Sequence, residues 1–175
     1  EIVTKNLGLY SIACIMYLVC GFVLMYPSGS AFGLEFLNGY LPAIGSSVTL
    51  STGLPNEEIG MPYGMDYSQQ ADFFFQVVFV ATAMSIVSGA VAERIKIWAF
   101  LIFAVFMTGF IYPMEGAWTW GGEAVLGLYT LGDLGFSDFA GSGIVHMAGA
   151  AAALAGALIL GARKGKYGPD GKINA

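Results

Sequence analysis

Four stretches of this chain stay apolar for roughly the length of a bilayer crossing: residues 7–26, 73–92, 95–112 and 139–162. A hydrocarbon core of about 30 Å takes about 20 apolar helical residues, and each stretch meets or approaches that length. Charged residues lie only at their ends, with Pro and aromatic clusters. A soluble helical bundle would carry polar stripes at helical period, and none is present. The pattern predicts an all-α, polytopic transmembrane bundle of four helices. Loops over 27–72 and 113–138 would join them on one side, and a tight turn at Ala92-Glu93-Arg94-Ile95-Lys96 on the other.

Composition agrees: 57% of residues are hydrophobic and 11% charged, with a mean hydropathy of +0.71. Charge adds an orientation. All seven basic residues fall in three places: Lys5, then Arg94 and Lys96, then Arg163, Lys164, Lys166 and Lys172. With four spans these share one side, which the positive-inside rule makes cytoplasmic. The opposite loops hold Glu35, Glu57, Glu58, Asp66, Asp72, Glu115, Glu123, Asp133 and Asp138 without a base. Such a single-sign face gathers cations. A chain that begins at Glu1 rather than Met, a few residues before a span, reads as part of a longer protein.

Candidate chemistry is sparse. Cys14 and Cys20 sit on different faces of the first span, as apolar filler rather than a disulfide or metal pair. No zinc spacing, phosphate loop or nucleophile–base pair is visible, so no enzyme, metal, cofactor or nucleic-acid partner is expected. His146 is the only histidine. It is expected about two turns inside a helix opening at Asp138, and an intramembrane imidazole is by default a functional candidate. The competing reading is a histidine bonded to a neighbouring helix. Small residues crowd that helix, from Gly141 and Ser142 through Ala148-Gly149-Ala150 to Gly161, so either another helix or a narrow lumen lies beside the ring. Asp138, eight residues away and about 12 Å along a helix, is too far for a dyad and reads as an N-cap at the outer mouth. Asp72 reads as a cap of the second span. In that span Phe75, Gln76 and Phe79 share a face, as packing or as a pore lining. Trp118-Thr119-Trp120-Gly121-Gly122 reads as an interfacial aromatic pair, or as an indole turned into a mouth by the glycines.

The runs Phe75-Gln76-Val77-Val78-Phe79, Gly89-Ala90-Val91-Ala92-Glu93-Arg94, Trp120-Gly121-Gly122, Asp138-Phe139-Ala140-Gly141 and Val145-His146 resemble the ammonium transporter family across almost the whole chain. The resemblance implies a homotrimer of eleven-helix subunits in two inverted halves. Residues 1–175 would supply an incomplete domain, about helices two to five, part of one inverted repeat. It also implies roles. Trp120 would bind the cation outside, Asp138 would support that site, and Phe79, with Phe75 and Gln76 beside it, would gate the pore. His146 would be one of a pair of pore histidines. The implied function is ammonium transport across the cell membrane. Cation–π attraction holds ammonium (or its analogue methylammonium) at Trp120, a proton is lost near Phe79, and neutral ammonia passes His146 through an apolar lumen that excludes a bare ion. An ammonium sensor coupled to a cytoplasmic signalling domain, and a Rhesus-type gas channel, are the alternative expectations; a cytoplasmic regulatory protein is a further expected partner.

Overall fold

A computed structural model describes residues 2–26, 69–120 and 131–173. Among the described residues four helical rods carry the fold. Helix α1 covers residues 2–25, as Ile2–Met16, a π-helical turn Tyr17–Gly21 and a last turn Phe22–Met25. Helix α2 is Gln69–Val91. Helix α3 covers residues 97–117, as Ile97–Phe106, a π-helical turn Met107–Ile111 and Tyr112–Ala117. Helix α4 is Ile144–Leu160. No β-strand occurs among the described residues. Three rods have a stretch long and apolar enough to cross a membrane, Ile2–Gly21, Ala71–Val91 and Ile97–Ala117. The 17 residues of α4 rise about 25 Å at helical pitch, a little short of the hydrocarbon thickness.

These bounds correct the sequence expectations in four places. Helix α1 already starts at Ile2, so Lys5 lies inside it rather than ahead of it. Helix α2 opens at Gln69, which puts Asp72 fully buried within the first turn instead of at its cap. Helix α3 does not close at Tyr112-Pro113 but runs on to Ala117. Proline lacks the N–H of a regular turn and its ring crowds the preceding carbonyls. The π-helical turn just ahead absorbs this: the Tyr112 N–H donates to the Met107 carbonyl, five residues back. The largest change is at α4, which begins at Ile144 and not at Asp138. The expected outer-loop acids Glu35, Glu57, Glu58, Asp66 and Glu123, and the Gly121-Gly122 pair, lie outside the described residues.

Helices α1, α2 and α3 share a core of Leu9, Ala13, Tyr17, Val80, Met84, Phe100, Ala104 and Met107, which Ile144, Val145 and Ala148 of α4 extend. Toward the outer end the filling is aromatic. Tyr17 stacks on Phe73 at 5.5 Å, and Phe22 meets Tyr17, Phe73 and Tyr26 at tilted or edge-on angles. Helix α4 lies against α2 through its small residues. A Cβ at Gly149 would stand 2.8 Å from the Ala83 carbonyl oxygen, and one at Gly156 2.8 Å from Val91. Lipid gives helices no hydrophobic reason to associate, so close backbone approach is what joins them.

The basic residues gather at one end of the bundle. Arg94 donates to the carbonyls of Ala90 and Gly161, and Arg163 donates to that of Gly89 at 2.9 Å. Each cation thus binds carbonyls at the end of α2 or α4 that helical bonding leaves open, where the helix dipole favours positive charge. Lys5 donates to Ser88 Oγ at 2.8 Å at the same end. Between α2 and α3, Glu93 turns the chain with φ +67°, a left-handed conformation that side chains usually avoid.

Candidate binding cavity

At the other end, a cavity of about 590 Å³ opens between α1, α2, the end of α3 and the segment leading into α4. Its wall is Tyr26, Phe75, Gln76, Phe79, Thr119, Trp120, Ser137, Asp138, Phe139 and Ala140. Five of the six side chains singled out by sequence therefore meet in one place: Trp120, Asp138, Phe75, Phe79 and Gln76. Tyr26, Thr119, Ser137 and Phe139 were not among them. Nothing in a one-dimensional pattern links Tyr26, the last residue of the first apolar run, to a cavity wall that resumes only at Phe75.

The wall facing α3 is a strap, residues 137–143, folded by one carboxylate. Asp138 is buried, at 8% exposure. Its Oδ1 accepts the Gly141 N–H at 2.9 Å, and its Oδ2 accepts those of Gly143 at 3.0 Å and Ile144 at 2.7 Å. Sequence reading made Asp138 an N-cap two residues from the first N–H groups of its helix. It caps α4 from further away, because Gly141 at φ +86° turns the chain back toward it. The negative charge ends at the positive pole of α4, which suits both. The backbone of the same residue serves the cavity: the Asp138 carbonyl accepts the Trp120 Nε1–H at 2.7 Å. One residue thus folds the strap with its side chain and orients the indole with its main chain. Trp120 itself is delivered by an extra turn beyond α3, its N–H donating to the Gly116 carbonyl at 2.8 Å.

Helix α2 supplies the second wall. Phe75 and Phe79, one turn apart, meet edge to face at 4.7 Å. Gln76 between them donates through Nε2 to the Tyr26 hydroxyl at 2.9 Å, tying α2 to the end of α1. The strap passes beside the lower ring, since a Cβ on Gly141 would sit 3.8 Å from Phe79. Aromatic faces around a few polar atoms can hold a small cation by quadrupole attraction, strengthened where water is excluded.

His146 is not part of this wall. It is the third residue of α4, in its first turn rather than two turns inside, because the seven residues before Ile144 form the strap. The earlier figure of about 12 Å to Asp138 assumed helix throughout and does not apply. Its side chain is exposed, with Met147, Ala150 and Leu154 on the flank of α4 turned away from α2. Gly149, one of the small residues expected to crowd around the ring, lies on the face packed on α2.

An apolar helical bundle with an aromatic cavity at the end opposite its basic residues defines a helical membrane protein. The family model of the Ammonium Transporter Family matches residues 1–175, and the chain belongs to that family. A Synechocystis relative is 37% identical over all 175 residues, which make up 35% of its own length. Ammonium transporter Amt1 of Haloferax mediterranei is 47% identical over 104 residues, 58% of this chain and 20% of that protein. Ammonium transporter 1 member 1 of Arabidopsis thaliana is 45% identical over 115 residues, 63% of this chain and 22% of that protein. A solved structure named Sensor Amt Protein matches with a TM-score of 0.71 at 30% identity, covering 98% of this chain and 38% of that one. The chain thus spans between about a fifth and two fifths of the length of these relatives.

Proposed function

We propose that these residues form the outer binding site and part of the conduction path of an ammonium transporter. The observation that supports this most is the meeting of Trp120, Phe75, Phe79 and Gln76 in one cavity, with the indole fixed by the Asp138 carbonyl. Acidic loops concentrate the cation. Trp120 holds it by cation–π attraction of about 0.5–2 kcal/mol, more when desolvated. Asp138 acts through the strap, as a positioning residue. Its carboxylate is engaged by three N–H groups and orients the wall rather than meeting the cation.

Phe75 and Phe79 then form the gate at which ammonium breaks one N–H bond, hands that proton to water in the cavity and goes on as neutral ammonia. The proton crosses separately and rejoins it on the far side, so one net charge moves per molecule. An apolar lumen penalises the ion far more than the neutral molecule. His146 offers that molecule one donor and one acceptor on the open flank of α4. The basic end is cytoplasmic by the positive-inside rule, and the full protein assembles as a trimer in the cell membrane.

The test is ammonium-evoked current through the full-length protein. Trp120→Leu raises the half-saturating ammonium concentration about tenfold, the loss expected of a desolvated cation–π contact. His146→Ala lowers the maximal current instead. Unchanged current in both variants would refute the assignment. A second reading is favoured by the likeness to the Sensor Amt Protein over 98% of the chain: the same cavity binds ammonium and reports it to a signalling partner. Binding without current would select it.

A further inference from the structure

Gln76 is 6% exposed, and its Oε1 is buried without a hydrogen-bond partner among the described residues, since Nε2 is the atom engaged with Tyr26. Thr119, the residue before Trp120, holds a buried Oγ1 in the same condition. Both residues line the cavity of Trp120, Phe75 and Phe79. The acid that borders this cavity is already committed: the Asp138 carboxylate accepts three backbone N–H groups. A buried acceptor left without a donor is costly, and bonds from a charged donor are the stronger kind. A cation bearing N–H groups relieves both oxygens when it enters. An alkali cation of the same charge brings no N–H and would need a shell of oxygens that this aromatic wall lacks.

We propose that Thr119 Oγ1 and Gln76 Oε1 are the acceptors that recognise the N–H groups of a cation held against Trp120. The inference rests on the reading of the cavity as an ammonium site. Each oxygen is carried by a side chain that borders the cavity. The aromatic faces supply attraction for any small cation, and the two oxygens supply the preference for one that donates. Thr119 is the more selective probe, because valine has nearly its shape without the hydroxyl.

The experiment is calorimetric titration of the purified full-length protein with ammonium, methylammonium and tetramethylammonium, the last having no N–H. Thr119→Val should weaken ammonium and methylammonium binding about tenfold, the loss expected of one charge-assisted hydrogen bond, with Thr119→Ser restoring it to within about twofold. Gln76→Met should act in the same direction. Tetramethylammonium should bind the unaltered protein and Thr119→Val equally. Equal weakening for all three cations would reduce Thr119 to a packing role and overturn the proposal. So would unchanged ammonium affinity in both variants, or failure of the unaltered protein to bind ammonium. Intact binding and ranking with no current through the unaltered protein would sink the transport reading alone.

Discussion

The two ends of the α2–α4 pair are built on opposite plans. From mid-helix to the basic end the helices close on each other: Gly149 brings α4 onto the Ala83 carbonyl, Gly156 onto the Val91 side chain, and Arg94 and Arg163 bind the carbonyls left open at the helix ends. At the outer end α4 has not yet begun. A strap replaces its first turns, and one side of a 590 Å³ cavity is made of that strap. The difference shows what keeps the cavity open. It is not a shortage of packing residues but the substitution of a capped, non-helical segment for helix at the point where the wall must follow the ring of Phe79. Closed contact needs small side chains, and the cavity needs a carboxylate able to satisfy three N–H groups at once.

Asp138→Ala should do the most damage, because it orphans the N–H groups of Gly141, Gly143 and Ile144 together. A loss of about 3 kcal/mol is expected, since each charge-assisted bond is worth about 1.5–3 kcal/mol and such terms do not add. Thermal unfolding of the full-length protein in detergent reads it, and ammonium binding should fall with it as the indole loses its anchor. Asp138→Asn, which keeps one acceptor oxygen, should lie between.

Gly149→Leu breaks the other end. Its side chain meets the Ala83 carbonyl and Ile86, and overpacking of this sort costs about 1–3 kcal/mol. Stability should drop while the ammonium affinity of the remaining folded protein holds. A parallel loss of affinity would show that the two ends are not independent. Arg163→Ala removes a single cap at Gly89 and should cost about 1 kcal/mol in the same unfolding experiment. Equal in size and of opposite sign, Glu93→Gly relieves the left-handed residue between α2 and α3 and should raise stability by about 1 kcal/mol.

Much of the closed end was legible in sequence. The apolar runs, the small residues of the last run and the clustering of Lys and Arg each follow from rules that act within one segment. The membership of the cavity was partly legible, through the residues that resemble the family. What could not be read was the course of the chain from Ser137 to Gly143. Phe139, Ala140, Gly141 and Ile144 continue the apolar run of α4 without interruption, so hydropathy extends the helix back to Asp138. The opposing signal is a carboxylate with glycines three and five residues ahead, and its effect depends on three-dimensional convergence of N–H groups. That misplacement carried His146 deeper into the helix than it lies and hid Ser137 and Phe139 as wall residues. Proline misled in the other direction: Pro113 suggested an end to α3, whereas a π-helical turn accommodates it.

The cavity account is tested most directly by the structure of the full-length protein determined with methylammonium bound, alone and as Trp120→Leu. The cation should lie within about 6 Å of the Trp120 ring centre, bounded by Phe75 and Phe79, and should be missing from the variant. A cation found elsewhere, or still in place without the indole, would contradict it.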